Sequence, residues 1–222
     1  FLSDAQLNKD TDPDGPGYAE NCTSIMVGRL ASTDGSVMTS HTCDGRYRTW
    51  LEVVPARTTI KDTIHPVYWG TLQTETAWDM NNVTRKGAIP EAASTFRYLS
   101  TAYPCLNEKQ LAIGETTIYG RKELINEQGL FLIEELEKIA LERCSTARQA
   151  IALIGSLADE YGYADLAECI TIADKREVWQ LEIAGSGPGK PSALWVAQRI
   201  PDDNVGIAAN IPRISLVDFN NP

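Results

Sequence analysis

The sequence is poor in the residues that metal and cofactor sites most often use. It has two histidines, His41 and His65, and none of its five cysteines belongs to a Cys-x-x-Cys pair. We therefore expect no metal site and no bound cofactor. No apolar run approaches the roughly 20 residues that span a bilayer. The excess of 30 acidic over 20 basic residues argues against nucleic-acid and membrane partners.

The remaining composition is that of an ordinary folded protein. With 222 residues, of which 43% are hydrophobic, the chain can bury one large core. Residues 1–21 are polar, acidic and interrupted by proline and glycine, so we expect a flexible extension there and a folded domain over residues 22–222. The extension is not an intact signal peptide, yet the chain starts with Phe1. We expect a leader already removed and an exported (periplasmic or extracellular) protein, with a cytoplasmic location as the alternative.

The pattern of apolar residues predicts strands at both ends of the domain and two helices between them. A tight Asp-Gly turn separates two strand-like runs after Cys22 and predicts a β-hairpin. Thr146 and Gln149 have capping-box spacing for the second helix, and Gly162 suits its end. The predicted strands cover residues 22–28, 37–42, 49–56, 106–120, 168–174, 177–184, 193–200 and 205–210, and the predicted helices cover 122–144 and 146–163. This order indicates an α+β fold, and residues 57–104 show no clear pattern.

Cys22 stands where the polar extension ends and the first predicted strand begins. Cleavage of the Asn21–Cys22 bond would place a thiol and a free α-amino group on one residue. An α-amino group has a pKa of about 7.7 to 8.0, so its neutral form can take the thiol proton and leave a nucleophilic thiolate. This chemistry needs no histidine. The structural alternative is a small buried side chain, which is the ordinary role of a cysteine at a strand start.

Three blocks of sequence carry a more specific signal. They are CTSIMVGRLASTDGSVMTSHTCD at residues 22–44, LNEKQLAIGETT at 106–117 and LWVAQRIPDDNVGIAANIPRI at 194–214. In this order they resemble the dipeptidase A family of N-terminal-nucleophile (Ntn) cysteine peptidases, whose relatives include penicillin V acylases, bile salt hydrolases, acid ceramidase and the secernins. The resemblance implies a four-layer αββα sandwich with Cys22 on a central strand.

The resemblance also implies roles for four residues. Cys22, exposed by autoproteolytic removal of residues 1–21, would attack a peptide carbonyl to give a thioester that water hydrolyses. Asn107 and Asn210 match asparagines that lie beside the oxyanion in the relatives, where donors stabilise the tetrahedral intermediate. Asp44 matches the carboxylate that holds the α-amino group. Without the resemblance, Asp44 and Asn107 would be interpreted as turn residues and Asn210 as a strand end.

The chain departs from the family pattern at several positions. His41 stands where relatives commonly have arginine, so a permanent cation is replaced by a group with an ordinary pKa of about 6.5. Arg46 and Arg48 follow closely and are candidates to replace that cation. Cys43 occupies a position that is often acidic. Relatives are also much longer, so we expect residues 1–222 to be the N-terminal portion of a precursor, with a second fragment completing the sandwich.

The predicted function is hydrolysis of dipeptides or small peptides by a cysteine nucleophile. We expect a small peptide substrate and assembly as a homo-oligomer. One alternative is a binding or structural protein of the same fold without turnover, in which residues 1–21 stay attached and block the α-amino group. A further alternative is an N-acyl amide hydrolase, which ranks lower because no long apolar stripe indicates an acyl pocket.

Overall fold

The computed structural model describes residues 22–43, 50–73, 80–81, 83–189 and 191–220. These residues form many short strands and two α-helices, which confirms the predicted α+β class. The strands are β1 (Cys22–Val27), β2 (Met38–Cys43), β3 (Glu52–Val54), β4 (Arg57–Thr58), β5 (Ile64–Trp69), β6 (Thr84–Pro90), β7 (Ser94–Thr95), β8 (Tyr98–Ser100), β9 (Pro104–Asn107), β10 (Ala112–Thr117), β11 (Ala167–Ala173), β12 (Val178–Gly185), β13 (Ala193–Arg199) and β14 (Val205–Ala208). The α-helices are α1 (Ile133–Arg143) and α2 (Ala147–Tyr161), with short 3-10 helices at Thr71–Gln73 and Lys122–Leu124.

Most of the strands belong to two antiparallel sheets. The large sheet has seven strands in the order β13-β12-β11-β10-β9-β8-β3, and the small sheet has three in the order β14-β1-β2. The pairs β4–β7 and β5–β6 form separate two-stranded ribbons. The β1–β2 pair is the predicted hairpin, and the last predicted strand pairs with the other edge of β1. The strand that begins with Cys22 is therefore the central strand of the small sheet.

The large sheet separates the helices from the small sheet, as the side chains of β11 show. Ile170 and Ile172 lie in the core that the large sheet forms with α1 and α2. The alternate residues Cys169 and Ala173 lie in a second core with Met26 of β1. Because successive side chains of a strand point to opposite faces, helices and small sheet cover opposite faces of the large sheet. The described residues thus form three layers, one helical and two of sheet.

The first helix is shorter than the one predicted over residues 122–144, because α1 begins only at Ile133. The reason lies at Gly129, where a Cβ atom would be 2.7 Å from the carbonyl carbon of Tyr163. Phe131 then forms a β-bridge with the same residue. The chain before α1 is thus held against the segment that follows α2. The prediction of a helix over residues 122–144 was wrong before Ile133, whereas the separation of its first turns, which Gly129 indicates from sequence, agrees with the structure.

The second helix has the predicted ends. The Thr146 hydroxyl accepts a hydrogen bond from the backbone nitrogen of Gln149 at 3.3 Å, and Gly162 follows the last turn with φ 85°. Gly155 lets α2 approach β13 closely, since a Cβ atom there would lie 2.4 Å from the ring of Trp195. The capping residues and the close contact fix α2 against the edge of the large sheet.

Candidate active site

The thiol of Cys22 lies between the two sheets. Along β1, Cys22, Ser24 and Met26 are buried and alternate with more exposed residues. Met26 packs in the core shared with the large sheet, so the same strand face carries Cys22 toward that sheet. Only 4% of Cys22 is exposed. The central strand thus presents this cysteine to the protein interior rather than to the molecular surface.

Asn210 fixes the backbone nitrogen of Cys22. Its Oδ1 atom accepts a hydrogen bond from that nitrogen at 2.6 Å, while its Nδ2 atom donates to the carbonyl oxygen of Thr117 at 2.7 Å. The residue follows β14 and has φ 53°, a left-handed conformation that asparagine tolerates better than most residues. One side chain therefore links the start of β1 to the end of β10, directly at the nitrogen that cleavage would turn into an α-amino group.

Cys43 is the cross-strand neighbour of Cys22. The register of the β1–β2 hairpin places the two residues directly opposite each other, with their side chains on the same face. A hydrogen bond between the two thiols, together with burial, raises the pKa of Cys43 far above its ordinary value. Neither cysteine is in a disulfide. Cys43 is thus held as a thiol next to the candidate nucleophile.

Two buried carboxyl groups, those of Glu115 and Glu137, act on this pair of thiols, and further buried acids lie close to them. An oxygen of Glu115, on β10, lies within 4.8 Å of both cysteine sulfurs. Burial raises the pKa of Glu115, and it raises the pKa of Glu134 to about 8. The same cause raises the pKa of Glu137 and of Glu168 well above the ordinary value. At pH 7 Glu134 therefore favours its neutral form.

Asn107 is engaged by backbone groups at the end of β9. Its Nδ2 atom donates to the carbonyl oxygens of Leu141 and Cys144, each at 2.8 Å, at the end of α1. Its Oδ1 atom accepts from the nitrogens of Lys109 and Leu111 at 3.0 and 3.1 Å. These bonds tie α1 to the large sheet. The predicted role of Asn107 beside the oxyanion stays a prediction.

The structure describes His41, which stands where relatives commonly have arginine, but it does not describe the charged residues that follow it. Asp44, Arg46 and Arg48 lie outside the described residues, so their roles stay predictions. The ring of His41 packs against Gly114 of β10, where a Cβ atom would lie 2.3 Å from the His41 Nδ1 atom. Burial lowers the pKa of His41. Its imidazole is therefore neutral at pH 7 and does not supply the positive charge of an arginine.

A second buried cluster joins the β5–β6 ribbon to α1. His65 is 2% exposed, with Nδ1 3.4 Å from Glu91 and Nε2 3.5 Å from Glu135. His65, Glu91 and Glu142 are close enough to share a metal ion. Arg57 already donates to Glu91 and to Glu142, at 3.1 Å each. Its guanidinium supplies the positive charge there, so this cluster is an ion-pair network between elements.

Sequence reasoning missed two members of the site, Cys43 and Glu115. Pairing the predicted hairpin residue by residue would have found Cys43, because a register that joins Val27 to Met38 also joins Cys22 to Cys43. The sequence also contains a signal for Glu115, which is the single charged residue of strand β10. Such a residue needs a partner or a function when its strand is buried.

The sequence as a whole decides the family. Residues 21–222 match peptidase family C69. The chain belongs to peptidase family C69. This confirms the resemblance to dipeptidase A that the three sequence blocks indicated, and it makes the chain a member of a peptidase family. Among the residues that the structure describes, no helix has the length and apolarity that crossing a membrane requires.

Curated C69 relatives carry dipeptidase names. The chain is 31% identical over 216 residues to a "Probable dipeptidase" of Latilactobacillus sakei, a match that covers 90% of this chain and 41% of that protein. It is 29% identical over 226 residues to a "Probable dipeptidase" of Salmonella dublin, covering 93% and 47%. A "Probable dipeptidase A" of Streptococcus pyogenes serotype M1 is 25% identical over 209 residues, covering 91% and 42%. The chain spans less than half the length of these relatives.

Proposed function

We propose that this C69 protein hydrolyses dipeptides and small peptides with Cys22 as its nucleophile. The observation that carries the proposal is the 2.6 Å hydrogen bond between the Cys22 nitrogen and Asn210 Oδ1. It fixes the nitrogen of the residue that carries the thiol, at the start of a central strand. The dipeptidase names of the relatives support the same substrate class.

Activation requires cleavage of the bond between Asn21 and Cys22. A peptide nitrogen cannot accept a proton, whereas an α-amino group with a pKa of about 7.7 to 8.0 is partly neutral at pH 7. Removal of residues 1–21 therefore creates the general base of the reaction. The Oδ1 atom of Asn210 then accepts a hydrogen bond from the amino group and orients it. Asp44 is the proposed second partner of the amino group.

The reaction proceeds through a thioester. The neutral α-amino group of Cys22 takes the thiol proton, and the sulfur attacks the carbonyl carbon of the substrate peptide bond. Collapse of the tetrahedral intermediate breaks the carbon–nitrogen bond, and the ammonium group returns its proton to the leaving amine. Water, deprotonated by the same amino group, then attacks the thioester, releases the carboxylic acid and restores the thiol. Asn107 is still proposed as the donor to the oxyanion, a role in which its Nδ2 atom must release the carbonyl oxygen of Leu141 or of Cys144 when substrate binds.

The proposed complete fold is the four-layer αββα sandwich, with a further helical layer on the small sheet. The outer face of that sheet is apolar: Ile25 and Ile207 are opposite each other and are 43% and 55% exposed. Val205 and Met38, which both pair with Val27 and share this face, are 56% and 46% exposed. A contiguous apolar face of this kind needs a cover in a stable protein. The additional length of the relatives is the proposed source of that cover.

The test is dipeptide hydrolysis by the full-length protein and two cysteine variants. Cys22→Ala removes the nucleophile and is expected to lower kcat/KM by more than about 1,000-fold. Cys105→Ala, which removes the half-buried thiol that contacts the Leu99 carbonyl oxygen, is the matched control and is expected to keep near wild-type activity. Mass spectrometry of the active protein should show a polypeptide that starts at Cys22. Equal activity of the Cys22→Ala variant and the wild type would refute the proposal.

A further inference from the structure

Three potential metal ligands converge at the start of the small sheet. The sulfur of Cys22, the sulfur of Cys43 and a carboxylate oxygen of Glu115 all lie within 4.8 Å of one another. A tetrahedral zinc ion with bonds of about 2.0 to 2.3 Å places its ligand atoms about 3.3 to 3.8 Å apart. The present separations of at most 4.8 Å are therefore close to ligand spacing.

The fold builds this cluster from two sheets. Cys22 and Cys43 are opposite each other in the β1–β2 hairpin, and Glu115 comes from β10 of the large sheet. The contacts between the sheets are close, because Asn210 bonds to both β1 and β10 and the ring of His41 rests on Gly114. The three ligand residues thus sit on strands whose relative position is fixed.

Glu115 supplies an independent observation that points to a ligand. The residue is 1% exposed. Its hydrogen bonds to Glu168 and Tyr103 lower its pKa but are weak, since neither oxygen has a partner at normal hydrogen-bond geometry among the described residues. Buried carboxylate oxygens are ordinarily hydrogen-bonded or bound to a cation. An oxygen of Glu115 lies within 4.8 Å of two sulfur atoms, which are poor hydrogen-bond donors but strong ligands for soft and borderline metal ions.

We propose that Cys22, Cys43 and Glu115 form a binding site for a thiophilic divalent cation of the zinc class. Two sulfurs and one carboxylate oxygen are three of the four ligands that zinc ordinarily takes, and they leave one position for water. The soft ligands select against magnesium and calcium, which prefer oxygen alone. The ion-pair network around His65 is a weaker candidate, because Arg57 already bridges its carboxylates.

The site has a consequence for catalysis that rests on the proposed function. A metal ion on the Cys22 sulfur occupies the lone pair that attacks the substrate carbonyl. Metal binding and nucleophilic attack are then mutually exclusive, so zinc acts as a reversible inhibitor of the mature protein. Cys43 supplies the second sulfur ligand of the site.

The test is a titration of the full-length protein with Co²⁺ as a spectroscopic substitute for zinc, in a phosphine reductant that keeps the thiols reduced. We expect one equivalent of Co²⁺ to bind and to produce an intense thiolate-to-cobalt charge-transfer band. Cys43→Ser and Glu115→Gln should weaken binding at least tenfold, and Cys43→Ser should also reduce the intensity of the band. Cys105→Ala, which changes a thiol outside the cluster, should bind like the wild type. Circular dichroism confirms that each variant is folded.

The outcomes separate the metal site from the proposed function. Absence of a charge-transfer band in the wild type, or wild-type affinity in folded Cys43→Ser, would overturn the metal site even if the protein hydrolyses dipeptides. A cobalt complex in a protein without peptidase activity would support the metal site and refute the proposed function. With both intact, micromolar Zn²⁺ should inhibit hydrolysis and a chelator should restore it, and Cys43→Ser should be less sensitive to zinc than the wild type.

Discussion

At the scale of single residues, Asn210 carries the most specific geometry of the site. It accepts from the Cys22 nitrogen and donates to Thr117, in a left-handed backbone conformation. We expect Asn210→Gly to lower kcat for dipeptides by about 10- to 100-fold, since a hydrogen bond to a charged group contributes roughly 1.5 to 3 kcal/mol. Glycine tolerates the left-handed backbone conformation, so the decrease in kcat is due to the missing Asn210 side chain alone. Steady-state kinetics of the mature protein measure it.

The pH profile separates positioning of the amino group from loss of structure. An acceptor stabilises the ammonium form more than the neutral amine, so Asn210→Gly should lower the pKa of the Cys22 amino group and move the acidic limb of kcat/KM to lower pH. Asn210→Ala should show the same profile but unfold more easily, because alanine with positive φ costs about 1 to 2 kcal/mol. A variant with wild-type kcat and an unshifted profile would contradict this role for Asn210.

At the scale of structural elements, the contact between β2 and β10 depends on one glycine. A Cβ atom at Gly114 would lie 2.3 Å from Nδ1 of His41. Gly114→Ala is therefore expected to lower the free energy of unfolding by about 1 to 3 kcal/mol, the usual range for overpacking. His41→Ala removes the ring, so the double variant should recover most of that loss. Urea unfolding of the wild type, both single variants and the double variant measures the coupling.

Ser40 provides a control for the His41–Gly114 contact. Ser40 neighbours His41 on β2 but is exposed on the opposite face. The changes in Ser40→Ala and Gly114→Ala should add to within about 0.5 kcal/mol, because the two sites share no contact. Additive changes in Gly114→Ala and His41→Ala as well would show that the imidazole does not limit the space at Gly114.

The elements that sequence patterns predicted well are those with local signals. Alternation and a tight turn predicted the β1–β2 hairpin, and the capping residues Thr146 and Gly162 predicted the ends of α2. The β-strands within residues 57–104 escaped prediction because many of them are short, and the β5–β6 and β8–β9 pairs carry register irregularities. Such strands depend on their partners rather than on their own periodicity.

The helix α1 shows where an amphipathic pattern misleads. Its apolar residues Ile133, Leu136 and Ile139 are buried as the pattern indicates, but so are four glutamates of the same helix. From sequence alone, a glutamate in a helix is expected at the protein surface. Tertiary contacts override this, since His65 of β5 lies against Glu135 and Arg57 against Glu142. These partners are distant in sequence, so no local pattern could have predicted the burial.

At the scale of the whole molecule, the buried acids set how stability depends on pH. Burial raises the pKa of Glu134 to about 8, from an unfolded value near 4.5, and raises those of Glu137 and Glu168 in the same direction. Between pH 4.5 and about 8, Glu134 therefore binds more protons in the folded protein than in the unfolded chain. These three groups therefore lower the free energy of unfolding as pH rises from about 5 to 8, whereas the lowered pKa of His41 acts in the opposite direction at about pH 6. Carboxylates with a lowered pKa, such as Glu91, act in the opposite direction only at lower pH.

Glu134→Gln tests this expectation, because glutamine keeps the shape of the side chain and removes its titration. At pH 8 we expect the variant to be more stable than the wild type by up to about 4 kcal/mol, with the difference vanishing toward pH 4.5. Glu160→Gln, at an exposed position of α2, should leave the pH dependence unchanged. Urea unfolding at pH 5, 6.5 and 8 measures all three proteins. A Glu134→Gln variant whose stability parallels that of the wild type at all three pH values would mean that Glu134 does not have a raised pKa in the folded protein.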